Sequence, residues 1–76
     1  MSEQDKVPQQ QQERMLRWFR YDHLKEPLQF ISKQFSQIAH DMCERLQSGP
    51  ERTVMLRKLL EAKDAAVRQQ IQDLEL

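Results

Sequence analysis

The sequence predicts an all-α fold: an antiparallel two-helix hairpin preceded by an N-terminal arm, residues 14–25, that is rich in aromatic and basic side chains. Apolar residues recur at steps of three and four along two stretches, and the single glycine of the chain stands between those stretches. Three of the five aromatic residues lie in the arm. The 76 residues leave room for one domain with a marginal core, which favours assembly into a homo-oligomeric helical bundle.

The first segment, residues 1–13, is polar and low in complexity, with PQQQQ at 8–12. Such a segment has too little apolar surface to offset the entropy of ordering it. We expect a flexible polar tail, and the alternative is a glutamine-rich helix that continues into Met15 and Leu16. Residues 14–76 are then predicted to form the single helical-hairpin domain.

The first helix is predicted over about 27–47, since Pro27 suits a first helical turn. Apolar residues at steps of three and four form a stripe along one face of this helix, and Phe30 projects from the opposite side. The residues of the stripe are Leu28, Ile31, Phe35, Ile38, Ala39, Met42 and Leu46.

The second helix is predicted over about 51–72, after the turn SGP at 48–50. Gly49 is a suitable helix stop and Pro50 a suitable first-turn residue, while Ser48 with Glu51 also fits a capping box. A turn this short makes the two helices antiparallel neighbours. The inner face of the second helix carries Leu56, Leu59, Leu60, Ala66, Val67, Ile71 and Leu74, with Lys63 near its centre.

Composition excludes several classes of function. Cys43 is the only cysteine, so no intrachain disulfide can form, and His23 and His40 are too far apart for a zinc pattern. No apolar run is long enough to span a bilayer, and the lack of a signal peptide predicts a cytoplasmic protein. The 12 basic and 12 acidic residues cancel, which argues against a binder of long nucleic acid.

Catalysis has no support in the sequence, and we expect no enzyme, no cofactor and no metal. The chain offers no nucleophile-base pair, no paired carboxylates and no glycine-rich phosphate loop, since it has only one glycine. His23 and His40 are interpreted as surface or packing residues rather than general bases.

The arm is the only strongly basic segment, because four cations against Asp22 give residues 14–25 a net charge of +3. Its rings have two interpretations. They pack on the hairpin or on a neighbouring subunit, with Phe30 as a natural landing place. Alternatively, one ring stacks on a base while Arg20 or Lys25 meets a phosphate.

Two cations of the second helix also have two interpretations each. Lys63, which finds no well-placed acid in its own chain, snorkels at the edge of the apolar stripe or meets an acid or an anionic ligand at a subunit interface. Arg52 pairs with Asp41 or Glu44 across the turn, or forms an anion site with Thr53 in the first helical turn.

Two longer segments carry a resemblance to a known family. The first is Phe19-Arg20-Tyr21-Asp22-His23-Leu24 with Leu28-Gln29, Ser32-Lys33 and Phe35, and the second is PERTVMLRKLLEAKDAAVR, Pro50 to Arg68. Together they resemble the helical-hairpin domain of phage anti-CBASS and anti-Thoeris sponges. The resemblance covers residues 19–68, and the second segment is its more specific half.

The resemblance implies a binding protein that sequesters cyclic oligonucleotide or cyclic ADP-ribose-type signals of bacterial immunity without cleaving them. It also implies a homo-oligomer, with a hexamer favoured, ligand pockets between subunits, and a place in the host cytoplasm during phage infection. The candidate ligand-binding residues, with Lys25 added from the arm, are Tyr21, His23, Lys25, Arg52, Thr53, Lys63 and Arg68. The alternatives are a helical oligomerisation or protein-interaction module without a nucleotide ligand, and a weak binder of single-stranded nucleic acid.

Overall fold

The structure, a computed structural model, describes residues 13–75. Within this range the chain forms a 3-10 helix, Glu13–Phe19, and two α-helices, α1 (Glu26–Arg45) and α2 (Pro50–Leu74). The prediction of an all-α fold is therefore confirmed. The predicted tail lies outside the described residues except for Glu13, which is the first residue of the 3-10 helix.

Helix α1 begins one residue before the predicted start and ends two residues before the predicted end. Pro27 stands in its first turn, where the amide hydrogen that proline lacks is not needed by the helix. Beyond Arg45 the chain turns out of the helix, because Leu46 adopts an extended conformation (φ −108°, ψ 139°). The amide of Leu46 still donates to the carbonyl of Met42, at 2.8 Å.

Helix α2 begins at Pro50, one residue before the predicted start, and ends two residues later than predicted. Of the two geometries that the sequence leaves open, the capping box of Ser48 and Glu51 is not used. The residue before the helix is Gly49, in an extended conformation (φ 176°, ψ 172°), and no side chain caps this end. The first helical bond runs from the amide of Thr53 to the carbonyl of Gly49, at 3.1 Å.

Hydrogen bonds between the two helices show how they lie. Near the end of α2, Nε2 of Gln70 donates to the carbonyl of Pro27 at the start of α1, at 2.7 Å. Near the start of α2, Nη1 of Arg52 donates to the carbonyl of Leu46 after the end of α1, at 2.8 Å. The two helices therefore lie side by side and run in opposite directions.

The centre of the core is formed by one residue from each element. Phe19 of the 3-10 helix and Ala39 of α1 are fully buried, and Leu56 of α2 is 2% exposed. Partly buried apolar side chains surround these three: Met15, Leu16, Phe35, Cys43, Met55, Leu59 and Leu60. The arm thus packs on the hairpin and supplies the largest side chain of the core.

The predicted apolar stripes need three corrections. Ile38, Leu46 and Leu74 are 47%, 46% and 46% exposed, although all three were expected on the inner faces. Ser32 and Ser36 are buried instead. At Ile38 the reason is the arm, which packs on the side of α1 that carries Ser36 and leaves the Ile38 side open. Leu46 and Leu74 lie at helix ends, where less of the chain covers them.

Small side chains on α1 make the arm's position possible. Ser32, Ser36 and Ala39 recur at helical spacing on one side of α1, so the ring of Phe19 can approach the helix backbone closely. Phe30, expected as the landing place for the arm, is 69% exposed and is not used for it in the single chain. Neither helix within residues 13–75 has a stretch long and apolar enough to cross a membrane.

Candidate functional site

The three rings of the arm have three different surroundings. Phe19 is a core residue. Trp18 is 54% exposed, and the guanidinium carbon of Arg17 lies 5.0 Å from the centre of its ring, within cation–π range. Tyr21 is half-buried and lines an open cleft between the arm and α1. Tyr21 is therefore the ring placed to meet a ligand in that cleft.

We call this feature the arm cleft. It has a volume of about 550 Å³, within the ordinary range for small-molecule sites. Five of its residues come from the arm and two from α1. They are Leu16, Arg17, Arg20, Tyr21 and Asp22 from the arm, and Ser36 and His40 from α1.

The charges of the arm cleft favour an anion. The lining includes two arginines, Arg17 and Arg20, and one acid, Asp22, which gives the cleft a formal charge of +1 with His40 neutral. Nε and Nη2 of Arg20 lie 3.3 Å and 3.4 Å from the two oxygens of Asp22. The hydrogen bond from Arg20, and then its positive charge, lower the pKa of Asp22 below the ordinary 3.8. Arg20 thus already presents the fork that binds carboxylates and phosphates.

His40 is a residue of the arm cleft that sequence reasoning assigned to the surface or to packing. Its Nδ1 lies 2.8 Å from the backbone carbonyl of Ser36 and 3.5 Å from the hydroxyl of Ser36. These contacts hold the imidazole against its own helix, one turn away, while the side chain stays exposed. Nothing in its spacing to other histidines or cysteines could have marked it, because the cleft exists only once the arm is docked.

Lys63 of α2 forms a hydrogen bond to the arm. It is 9% exposed, and its Nζ donates to the carbonyl of Trp18 at 2.8 Å. The same Nζ lies 3.5 Å from Oδ1 of Asp64. Two expectations are therefore corrected: its chain does provide an acid, and the ammonium group is held inside rather than snorkelling. A ligand contact of Lys63 stays a prediction.

Arg52 and Thr53 lie at the other end of α1, beside the turn. Nη1 of Arg52, which is 7% exposed, donates to the carbonyls of Cys43 and Leu46 at 3.2 Å and 2.8 Å, so it caps the end of α1. Of the two acids considered as partners of Arg52, Asp41 pairs with Arg45 at 3.0 Å, and a pair with Glu44 stays a prediction. Thr53 donates its hydroxyl to the carbonyl of Gly49 at 3.2 Å.

A second, smaller opening surrounds Arg52, and we call it the turn cleft. Its volume is about 310 Å³. Its lining is formed by Leu46, Gln47, Gly49, Pro50, Glu51, Arg52 and Met55. The guanidinium of Arg52 already donates to two carbonyls. We therefore expect the turn cleft to bind an anion more weakly than the arm cleft does.

The remaining candidates are exposed and lie apart. His23 and Lys25 stand in the link between the 3-10 helix and α1, and neither lines the arm cleft. Arg68 lies on α2, about 140° around the helix from Lys63, and so on the side turned away from α1. Within one chain, the seven candidate residues are thus distributed over the arm, the turn, the buried side of α2 at Lys63 and the outer side of α2 at Arg68.

Compared with known proteins, the chain matches no protein-family model, no curated protein and no solved structure. Function is therefore inferred from the clefts and from the sequence resemblance. Among residues 13–75, no group of three or more His, Cys, Asp or Glu side chains is placed to hold a metal ion.

Proposed function

We propose that this protein binds and sequesters a cyclic oligonucleotide or a cyclic ADP-ribose-type signal without cleaving it. The arm cleft is the observation that carries the proposal. Tyr21, Arg17 and Arg20 all line this cleft. A cyclic nucleotide has flat bases and anionic phosphates, which such a ring and such cations bind by stacking and by charge-assisted hydrogen bonds.

The proposal includes assembly. We propose that the hairpin forms a homo-oligomer, with a hexamer favoured by the resemblance, and that a neighbouring subunit closes the open side of each arm cleft. Thr53 and Arg68, which are exposed and lie apart from Tyr21, then reach the ligand from other subunits. A ligand contact of Arg52 or Lys63 requires its hydrogen bonds to carbonyl groups of its own chain to open. The setting proposed is the cytoplasm of a bacterial host during phage infection, where a sponge keeps the free signal below the threshold of its effector.

Capture without chemistry tests the proposal. Native mass spectrometry of the protein with a panel of cyclic dinucleotides, cyclic trinucleotides and cyclic ADP-ribose isomers should show one or more complexes. Heat should release the same molecule with unchanged mass and chromatographic retention. Recovery of a linearised or hydrolysed product would show an enzyme and reject the sponge.

Tyr21 provides a matched pair of variants. Tyr21→Ala should weaken capture by about 1–3 kcal/mol if the ring stacks on a base. Tyr21→Phe keeps the ring and should bind nearly as well as the native protein. Equal losses in both variants would assign the effect to the hydroxyl group instead.

An interaction module is the second candidate, because Phe30 and Trp18 are 69% and 54% exposed. Large exposed rings often mark protein contacts. Such a module should bind no member of the cyclic nucleotide panel. Binding of long single-stranded nucleic acid with a strong dependence on salt would point instead to a nucleic-acid binder.

A further inference from the structure

His40 is a wall residue of the arm cleft that the resemblance does not assign. It comes from α1, whereas both arginines of the cleft come from the arm. Its side chain is exposed and accessible to a ligand. The question is which chemical group of a ligand this imidazole meets.

The hydrogen bonds of His40 fix the chemistry of its free nitrogen. The carbonyl of Ser36, 2.8 Å from Nδ1, can only accept a hydrogen bond, so Nδ1 carries a hydrogen. In the neutral imidazole Nε2 is then an acceptor with a lone pair. Nε2 has no hydrogen-bond partner among the described residues.

A phosphodiester oxygen can also only accept a hydrogen bond, so it repels the lone pair of the neutral Nε2. Once Nε2 is protonated, it can donate a hydrogen bond to that oxygen. Imidazoles ordinarily gain a proton between about pH 8 and 5. The groups that face His40 from the arm are Arg17, Arg20, Tyr21 and Asp22. On its own helix, Glu44 follows one turn later and is exposed. Protonation raises the net charge of the cleft from one positive charge to two.

We propose that His40 is a further ligand-binding residue of the arm cleft, whose protonated Nε2 donates a hydrogen bond to a phosphodiester of the ligand. The inference rests on the proposed function, because the ligand is the same. It adds a contact from α1, opposite the two arginines of the arm, so that a phosphate is held from both walls of the cleft. Capture of the ligand then takes up a proton and strengthens as the pH falls.

Isothermal titration calorimetry with cyclic di-AMP at about pH 8 and about pH 5.5 tests the inference. Native protein should bind about tenfold more tightly at the lower pH, the size expected for one hydrogen bond to a charged group. His40→Gln cannot take up the proton, so its affinity should change less than about twofold. His40→Lys carries a permanent charge and should bind at the higher pH nearly as well as native protein binds at the lower pH.

Gln69→Lys is the control, since it adds the same charge at an exposed position of α2 that does not line the cleft. It should keep the native pH dependence. An equal pH dependence in His40→Gln, or tighter binding at the higher pH in native protein, would overturn the inference.

Dimethyl phosphate separates this inference from the proposed function, because a phosphodiester keeps the same charge at both pH values. It is titrated into the same variants, with binding followed by NMR shifts of the arm. Dimethyl phosphate binding that strengthens at low pH and is lost in His40→Gln supports the anion contact even if no cyclic nucleotide binds. Cyclic di-AMP binding without a contribution from His40 would support the proposed function and reject the contact between His40 and the phosphodiester.

Discussion

Asp22 is the one acidic side chain among the residues that line the arm cleft, and it occupies the guanidinium fork of Arg20. Both side chains are mostly exposed, at 64% and 70%, so the pair itself adds little stability. Folding lowers the pKa of Asp22 from 3.8. The small contribution of the pair is thus present above the ordinary carboxyl pKa and is lost as the pH falls through the lowered value.

A ligand phosphate must compete with this carboxylate. Asp22→Asn frees the Arg20 fork and removes a negative charge, so we expect affinity for a cyclic dinucleotide to rise by several-fold, up to about tenfold. Calorimetry at low and high salt measures the gain. Asp73→Asn removes the same charge at an exposed position that does not line the cleft, so it should raise the affinity little. An equal gain in Asp73→Asn would attribute the effect to net charge.

Ser32 is a second informative residue, because its hydroxyl is fully buried and has no hydrogen-bond partner among the described residues. A buried hydroxyl without a partner costs free energy. Ser32→Ala should therefore raise the free energy of unfolding by up to about 1 kcal/mol. Ser36→Ala is the control, since its hydroxyl contacts His40 and its loss should bring no gain. Destabilisation by Ser32→Ala in urea melts would indicate a bound water as the missing partner.

At the scale of elements, Lys63 links the 3-10 helix to α2 by a hydrogen bond. The bond from its Nζ to the carbonyl of Trp18 joins residues 45 positions apart in the sequence. Without it, Phe19 remains as the main anchor of the arm. The arm cleft depends on the docking of the arm by Lys63 and Phe19, because five of its seven lining residues belong to the arm.

Lys63→Met should loosen the arm before the hairpin unfolds. We expect a loss of about 1–3 kcal/mol in arm docking, the usual size for a hydrogen bond from a charged group. Faster tryptic cleavage at Arg17 and Arg20, with a change in Trp18 fluorescence, measures it. Lys58→Met removes an exposed lysine and should leave both readouts as in the native protein. Native protection in Lys63→Met would contradict the anchoring role.

At the scale of the whole molecule, the core is small and much apolar surface stays exposed to solvent. Large apolar side chains exposed within residues 13–75 are Trp18, Phe30, Ile38, Leu46, Val54 and Leu74. Phe30 and Ile38 lie eight residues apart on α1, on the side that the arm leaves uncovered. This surface favours self-association.

We therefore predict that sedimentation at low micromolar concentration shows an oligomer. Phe30→Glu and Ile38→Glu should shift it toward smaller species, because each variant places a charge on the open apolar side of α1. Gln72→Glu adds the same charge at an exposed polar position of α2, away from this side of α1, and should leave the oligomer unchanged. A stable, folded monomer of the native chain would contradict the prediction.

Local sequence was sufficient for the all-α class and for both helices to within one or two residues at each end. Pro27 and Pro50 fall in first turns where proline is favoured, and three-and-four spacing reports the helical period directly. The ends of α1 and α2 near the turn were less certain. There, no side chain caps the start of α2, and Arg52 donates to carbonyls at the end of α1, a contact between two elements that local sequence does not report.

The sequence by itself determined the helices and the basic, aromatic character of the arm, because these follow from spacing and composition. Tertiary structure alone decided what each arm residue does: Phe19 enters the core, while Tyr21 faces a cleft. It also brought His40 into that cleft and placed Lys63 under Trp18. Sequence reasoning could not reach these roles, because Ser32 and Ser36 look polar in a linear pattern and are buried only in the folded chain.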